Sequence, residues 1–209
     1  MLVIGAGGHA KEVVEIIHRS YPEEEIFFFD NTDSAPAKFL NRFRIVSKED
    51  EIREIFRSNP SFISAISGTR KKEIFLEKFH LLGGRFAQVI AANALIGSFN
   101  VDLGKGLNIM QNVLVSNDVS IGDATLVNYG ACIHHDCRIG KYCEISPRAQ
   151  LLGGVKVGDY VTIGSGAIIL PKITIGNNSI IGAGAVITGN VPDNVIVTGV
   201  PGKVVKKIE

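Results

Sequence analysis

The sequence is short of most things that would mark a specialised surface or compartment. Its 209 residues include no Trp, 2 Met and 3 Cys, and aromatic residues make up 7%. An excess of one charge sign is missing as well: 22 Lys+Arg stand against 21 Asp+Glu, a formal net of +1. With that balance, nothing draws the chain to nucleic acid or to an anionic membrane. The cysteines, Cys132, Cys137 and Cys143, are odd in number and spaced by five and six. That pattern fits neither zinc ligation nor a secreted disulfide framework, and it suggests a reduced, cytoplasmic setting. No apolar run approaches the roughly 18 residues of a membrane span. The opening MLVIGAGGHAKE lacks the basic region expected of a signal peptide. Glycine is the one abundance, with 23 residues in a chain of positive mean hydropathy.

The glycines are unevenly spread. Residues 1–85 hold 6 of the 23 and carry 26 charged residues, whereas the remainder holds 17 Gly, 17 charges and only Phe86 and Phe99 of the 11 Phe. This shift predicts two domains, residues 1–84 and 85–209, with the Gly83-Gly84 pair as the joint.

The second part repeats every six residues. Counting from Leu103 to Ile187 in steps of six meets a branched aliphatic each time, and four places after each stands a small or apolar residue, from Leu107 to Val191. Gly often follows the aliphatic, as in Gly104, Gly122, Gly140, Gly158, Gly164, Gly176 and Gly182. A period of six suits neither a 3.6-residue helix nor a free-standing two-residue alternation. It predicts a solenoid of short strands, three sides to a coil, with the aliphatics stacked inward and glycine relieving the corners. Ile90 and Ile96 start two more hexads before a one-residue slip near Val101-Asp102.

The first part alternates strands and helices. LVIG (2–5) reads as a strand, followed by GAGGHA and a helix with Val13, Val14, Ile16 and Ile17 on one stripe. EIFFFDN (25–31) and SFISAIS (61–67) read as further strands. Ser47 and Asp50 resemble a capping box for a helix over 48–58, and another helix runs from Thr69 to about Leu82. The alternation implies a small α/β domain with a parallel sheet.

Two places carry chemistry. GAGGHA (5–10), with His9 expected in the loop, lies where a phosphate cradle belongs, and Asp30 closes the next strand within reach of a ribose or base. A domain of this size offers one mononucleotide-sized half of a dinucleotide fold, which suits a nucleotide joined to something smaller. The other place is IHHDC (133–137), where Ile133 and Cys137 face inward and His134, His135 and Asp136 turn out at a corner. A histidine beside a carboxylate is a suitable proton acceptor at neutral pH. Spacing alone does not choose between the two histidines. The solenoid has no third histidine, which disfavours a metal site, and the cysteines read as structural fillers.

Across nearly its full length the chain resembles the sialic acid O-acetyltransferase/UDP-4-amino-sugar N-acetyltransferase group (NeuD/PglD-like) of hexapeptide-repeat enzymes. The resemblance is carried by GAGGHA, the hexad array and the closing GVPGK (199–203). It implies a Rossmann-like nucleotide-binding domain followed by a left-handed parallel β-helix. It also implies a homotrimer with interfacial sites and acetyl transfer from acetyl-CoA to a sugar, most simply to the amine of a UDP-4-amino-sugar for surface glycan synthesis. The family's base and its carboxylate fall on His135 and Asp136, and Asn128 would orient the acceptor. Nucleotide-sugar contacts fall on Gly7, Gly8, His9, Asp30, Asn31 and Gly68, and acetyl-CoA contacts on Gly153, Ser165 and Ala183, with Lys203 available to phosphates. No metal is implied. Where the family often has a second histidine near the acetyl carbonyl, this chain has Glu144, which cannot donate a hydrogen bond unless protonated. O-acetylation of a sugar and a non-catalytic nucleotide-sugar-binding scaffold are the alternatives.

Overall fold

A computed structural model describes residues 1–32 and 35–208. The chain forms two compact units, Met1–Val89 and Ile90–Glu209. The first runs β1 (Leu2–Ile4), α1 (Gly8–Ser20), β2 (Phe27–Phe29), β3 (Lys38–Phe39), β4 (Phe43–Val46), α2 (Glu49–Ser58), β5 (Ser61–Ser64), α3 (Thr69–Leu81) and β6 (Arg85–Phe86). The sheet order is β3-β4-β2-β1-β5-β6, parallel except for β3 against β4. Central β1 is buried along its length, as parallel strands covered on both faces are. Helix α1 buries Ala10, Val13, Val14, Ile16 and Ile17, the stripe its spacing predicts. Phe79 of α3 packs edge-on to Phe29 at 4.9 Å and lies 5.9 Å from Phe62, so phenylalanines do the work that the absent tryptophans would.

Three local expectations give way. No Ser47 capping box opens α2. Its N-cap is Lys48, without a side-chain cap, and Glu49, Asp50 and Glu51 meet the helix dipole instead. The strands predicted over 25–31 and 61–67 shorten to Phe27–Phe29 and Ser61–Ser64. The β3–β4 hairpin is unanticipated because its three-residue loop, Leu40-Asn41-Arg42, puts positive φ on Leu40 and Asn41 (51° and 55°) without a glycine to announce it.

The second unit is a left-handed parallel β-helix with three faces, its coils 18 residues long apart from a step of 19 from Leu95 to Leu114 and of 16 from Ile180 to Ile196. Face I stacks Asn108–Ile109, Leu126–Val127, Glu144–Ile145, Thr162–Ile163 and Ile180–Ile181. Face II stacks Leu95–Ile96, Leu114–Val115, Cys132–Ile133, Gln150–Leu151, Ile168–Ile169 and Val186–Ile187. Face III stacks Asp102–Leu103, Ser120–Ile121, Arg138–Ile139, Lys156–Val157 and Thr174–Ile175. Strand Val195–Thr198 follows on face I and is closed by antiparallel Lys203–Lys207. The predicted inward sets are buried except Leu103 and Ile173, which are half-buried. Thr125 and Ser179, the hydroxyl members, are satisfied inside: Thr125 Oγ1 donates to Gly140 O (2.9 Å) and Ser179 Oγ to Pro192 O (2.8 Å).

Corner chemistry differs from the expectation that glycine supplies the turn. The left-handed residue falls two places after the recurrent glycine, at every sixth position from Gly106 to Gly184, and most of its occupants are not glycine. Asn112, Asp118, Asp136, Tyr142, Arg148, Tyr160, Lys172 and Asn178 all hold φ between 54° and 62°. That conformation costs a side-chain-bearing residue about 1–2 kcal/mol. The compensation is a hydrogen bond that the corner N–H makes to the coil before it, as in Ala124 N to Lys105 O (2.8 Å) and Gly154 N to His135 O (2.9 Å). The recurrent glycines answer a different demand. A Cβ on Gly140 would sit 2.4 Å from Asp159 Oδ1 and 2.6 Å from the Gly158 carbonyl group of the next coil.

Gly140→Ala is therefore expected to lower stability by about 1–3 kcal/mol, the usual scale of overpacking. Gly189→Ala, with open space around its Cβ and no positive φ, should stay within about 0.5 kcal/mol of wild type. Thermal midpoints at matched protein concentration and scan rate check the contrast.

Candidate active site

In the first unit, the expected substrate contacts gather at the carboxyl ends of three neighbouring strands. Gly5, after β1, has φ 100°, and its N–H donates to Phe29 O (2.8 Å). Gly7 is the N-cap of α1, and a Cβ on Gly7 or Gly8 would meet nothing within 4 Å, so the loop presents bare main chain to its open side. His9 does not lie in that loop. It is in the first turn of α1, with a side chain only 8% exposed and Nδ1 3.3 Å from Glu12 Oε2. After β2, Asp30 turns one carboxylate oxygen into its own loop, accepting from Thr32 N (2.9 Å) and Thr32 Oγ1 (2.7 Å), while Asn31 is exposed. Gly68, after β5, has φ 95° and caps α3. Parallel α/β sheets receive ligands at this edge.

The helix ends at that edge are not alike. Helix α2 neutralises its N-terminus with three acids, whereas α1 and α3 have no acidic residue in the first turn. The first turn of α3 carries Arg70, Lys71 and Lys72, and Lys72 is only 3% exposed. This concentrated positive potential favours an anion. The sequence reading overlooked Arg70 and Lys72 because three cations in a row look like an ordinary solvated helix face.

In the β-helix, His135 and Asp136 sit at the corner between faces II and III. Asp136 is the left-handed corner residue (φ 62°), which swings its carboxylate back to its neighbour: His135 Nδ1 and Asp136 Oδ2 are 2.7 Å apart, both side chains exposed. With Nδ1 engaged, Nε2 is the atom left to exchange a proton. Arg138 donates to Asp118 O and to Cys137 O (3.0 Å), tying the corner to the coil before it. Gly153 stands one coil beyond His135, directly against the imidazole ring.

The remaining expected residues lie elsewhere. Asn128, Ser165 and Ala183 are on the corner between faces I and II, the opposite rim of face II from His135 and Gly153. Asn128 Oδ1 accepts from Tyr129 N (2.7 Å), so this side chain is curled onto its own turn. Glu144 starts a strand of face I between Leu126 and Thr162, and a single chain does not bring it to His135. Lys203 is exposed at the start of the closing strand. The outward residues of face II, Leu114, Cys132, Gln150, Ile168 and Val186, are largely apolar, whereas face III shows Asp102, Ser120, Arg138, Lys156 and Thr174. Among the described residues, no group of three or more His, Cys, Asp or Glu could hold a metal, and no helix is long and apolar enough to cross a membrane.

Residues 1–79 match the PglD N-terminal domain family, and residues 136–171 and 154–189 match the bacterial transferase hexapeptide (six repeats) family. Among solved structures, PerB from Caulobacter crescentus, in complex with CoA and GDP-perosamine, is 32% identical. The match covers 98% of this chain and 96% of that one, at a TM-score of 0.88. The same perosamine N-acetyltransferase has been solved with one histidine replaced by Asn or by Ala. The acetyltransferase domain of PglB from Neisseria gonorrhoeae, in complex with acetyl coenzyme A, is 29% identical over 98% of both chains (TM-score 0.89). WeeI from Acinetobacter baumannii is also 29% identical over 98% of both (TM-score 0.88). No curated protein sequence matches.

Burial raises the Cys137 thiol above its ordinary value of 9.0, so it stays protonated at neutral pH. What this contributes to folding is whole below 9.0 and is lost as pH rises beyond it. Iodoacetamide labelling read by mass spectrometry is expected to reach Cys137 only in denaturant. Rapid labelling of Cys137 in the folded protein would contradict its role as an inert filler.

Proposed function

The chain belongs to the NeuD/PglD-like family of hexapeptide-repeat sugar acetyltransferases, and from that premise we propose that it N-acetylates a nucleotide-linked amino-sugar with acetyl-CoA. The observation that carries the mechanism is the His135 Nδ1–Asp136 Oδ2 pair at an exposed corner. The neutral sugar amine attacks the thioester carbonyl carbon while His135 Nε2 takes its proton. The new C–N bond forms, the C–S bond breaks, and CoA leaves as a thiolate that regains a proton from the imidazolium. Asp136 holds the ring's tautomer and stabilises the imidazolium. No acyl-enzyme is needed, in keeping with a thiol at Cys137 that is kept protonated.

The nucleotide reading is supported by the bare main chain at Gly7 and Gly8, by Gly68, Asp30 and Asn31 on the same sheet edge, and by the acid-free N-termini of α1 and α3. Acetyl-CoA is assigned to Gly153, Ser165 and Ala183, with Lys203 for phosphate and Asn128 for the acceptor. A homotrimer suits this distribution. One chain splits these residues over the two rims of a flat, apolar face II, and a second copy seated there would turn an open face into a cleft. Glu144, carried on face I, would then belong beside a neighbouring copy's site. A cytoplasmic setting accords with an acetyl-CoA-dependent reaction and with three cysteines that form no disulfide among the described residues.

His135→Ala is expected to lower kcat by about 10²–10⁴, the usual scale for a general base. Near-full activity on the true acceptor would overturn the mechanism. A panel of UDP-, GDP-, dTDP- and CMP-linked amino and hydroxyl sugars, read by CoA thiol release, should show turnover confined to an amine. Ile168→Asp is expected to dissociate the oligomer in sedimentation and to remove activity with it. An active monomer would argue against interfacial sites.

A further inference from the structure

We propose that Gly153 is the seat of the catalytic imidazole, a positioning residue whose absent side chain lets the His135 ring rest on the next coil while its Nδ1 stays on Asp136. This rests on the reading of His135 as the base. An ideal Cβ on Gly153 would stand 2.5 Å from His135 Cε1, 2.7 Å from Nε2 and 3.2 Å from Nδ1. The contact is with the far edge of the ring, which the Nδ1 bond to Asp136 Oδ2 (2.7 Å) holds in place. Conformation does not explain the glycine, because its φ is outside the left-handed region; the corner residue that is left-handed is Gly154 (φ 74°). What position 153 requires is closeness to the ring.

Neither partner is free to yield by its main chain. The Gly153 coil is bonded on both sides: Gly154 N donates to His135 O (2.9 Å), and Lys172 N donates to Gly153 O (2.9 Å). Asp136 is fixed at its corner, its N–H donating to Asn117 O (3.4 Å). With the coils held, a methyl group at 153 moves the ring by about 1 Å to restore ordinary contact. That movement lengthens the 2.7 Å link to Asp136 and displaces Nε2, the proton-accepting atom. Gly153 thus acts through His135 by what its side chain lacks, a role separate from the acyl-donor contact assigned to its main chain, which an alanine would keep.

A misplacement of about 1 Å at a reacting group can cost about 10² in rate. Gly153→Ala is accordingly expected to lower kcat about 100-fold while leaving KM for the acceptor and the calorimetric Kd for CoA near wild type. A cycle with His135→Ala separates ring displacement from other effects. In the His135→Ala background there is no ring to displace, so adding Gly153→Ala should change residual kcat by less than about twofold and leave folding as in His135→Ala alone. An equal further loss in both backgrounds, a loss expressed as weaker CoA binding, or misfolding of the double variant would overturn the proposal. If His135→Ala is impaired while Gly153→Ala is fully active, this proposal fails and the general base stands. If His135→Ala is fully active, the base assignment fails and takes this proposal with it. Long-range proton–nitrogen NMR spectra give a second readout. The Nδ1–H signal of the Asp136-bonded ring should be lost in Gly153→Ala and kept in Gly189→Ala; its retention in Gly153→Ala would also overturn the proposal.

Discussion

The structure of the second unit depends on one constraint: each coil must lie a single strand spacing, about 4.8 Å, above the last. In the regular coils eighteen residues bring the chain back over itself, so each side chain there is stacked on the one 18 places away. Inside, this gives a continuous aliphatic column. At the corners it leaves so little room that Gly140 and Gly158 must be bare to admit the coil above. The same constraint turns corner N–H groups towards the preceding coil, and those bonds offset the left-handed φ that Tyr142, Arg148 and Lys172 would otherwise avoid. The corner ladder between faces III and I goes further: Asp123, Asp159, Asn177 and Asp193 each accept a main-chain N–H from the coil before.

Such a scaffold was legible in the sequence because its period of six matches no other regular structure, and the inward positions followed directly. Corner stereochemistry was less legible. The glycines are visible, but whether a glycine supplies a positive φ or a close approach is a question of three-dimensional stacking, and here it is close approach. In the first unit, the parallel core was legible from its apolar strands. The β3–β4 hairpin was not, because Leu40-Asn41 is a poor advertisement for a turn in which both residues take positive φ.

The candidate site divides along similar lines. Spacing marked the corner of His134, His135 and Asp136 but could not say which histidine met the carboxylate. The left-handed backbone at Asp136 decides it, turning Oδ2 onto His135 Nδ1. Asn128 and Glu144 have the right spacing from the base, yet one chain holds them on other parts of the prism. Linear spacing cannot reveal that a site is assembled from separate faces. Lys72 escaped notice for the opposite reason: its burial is a tertiary fact that a run of three cations conceals.

Under the proposed assignment of His135, placing a general base at such a corner has a physical logic. A loop could bring a histidine to a substrate, but each of its soft torsions would have to be frozen at some cost in entropy when the reacting atoms align. Here the main chain on either side of His135 is already hydrogen-bonded to the coils before and after it. The ring is gripped at its edge by Asp136 and backed by Gly153. Its remaining freedom is small before any ligand arrives. The exposed corner also leaves the imidazole open to the reacting groups, so the proton taken from the amine can be returned to the departing thiolate without opening the fold. The corner therefore supplies rigidity from the ladder and access from the turn, which a buried strand or a mobile loop would each supply only in part.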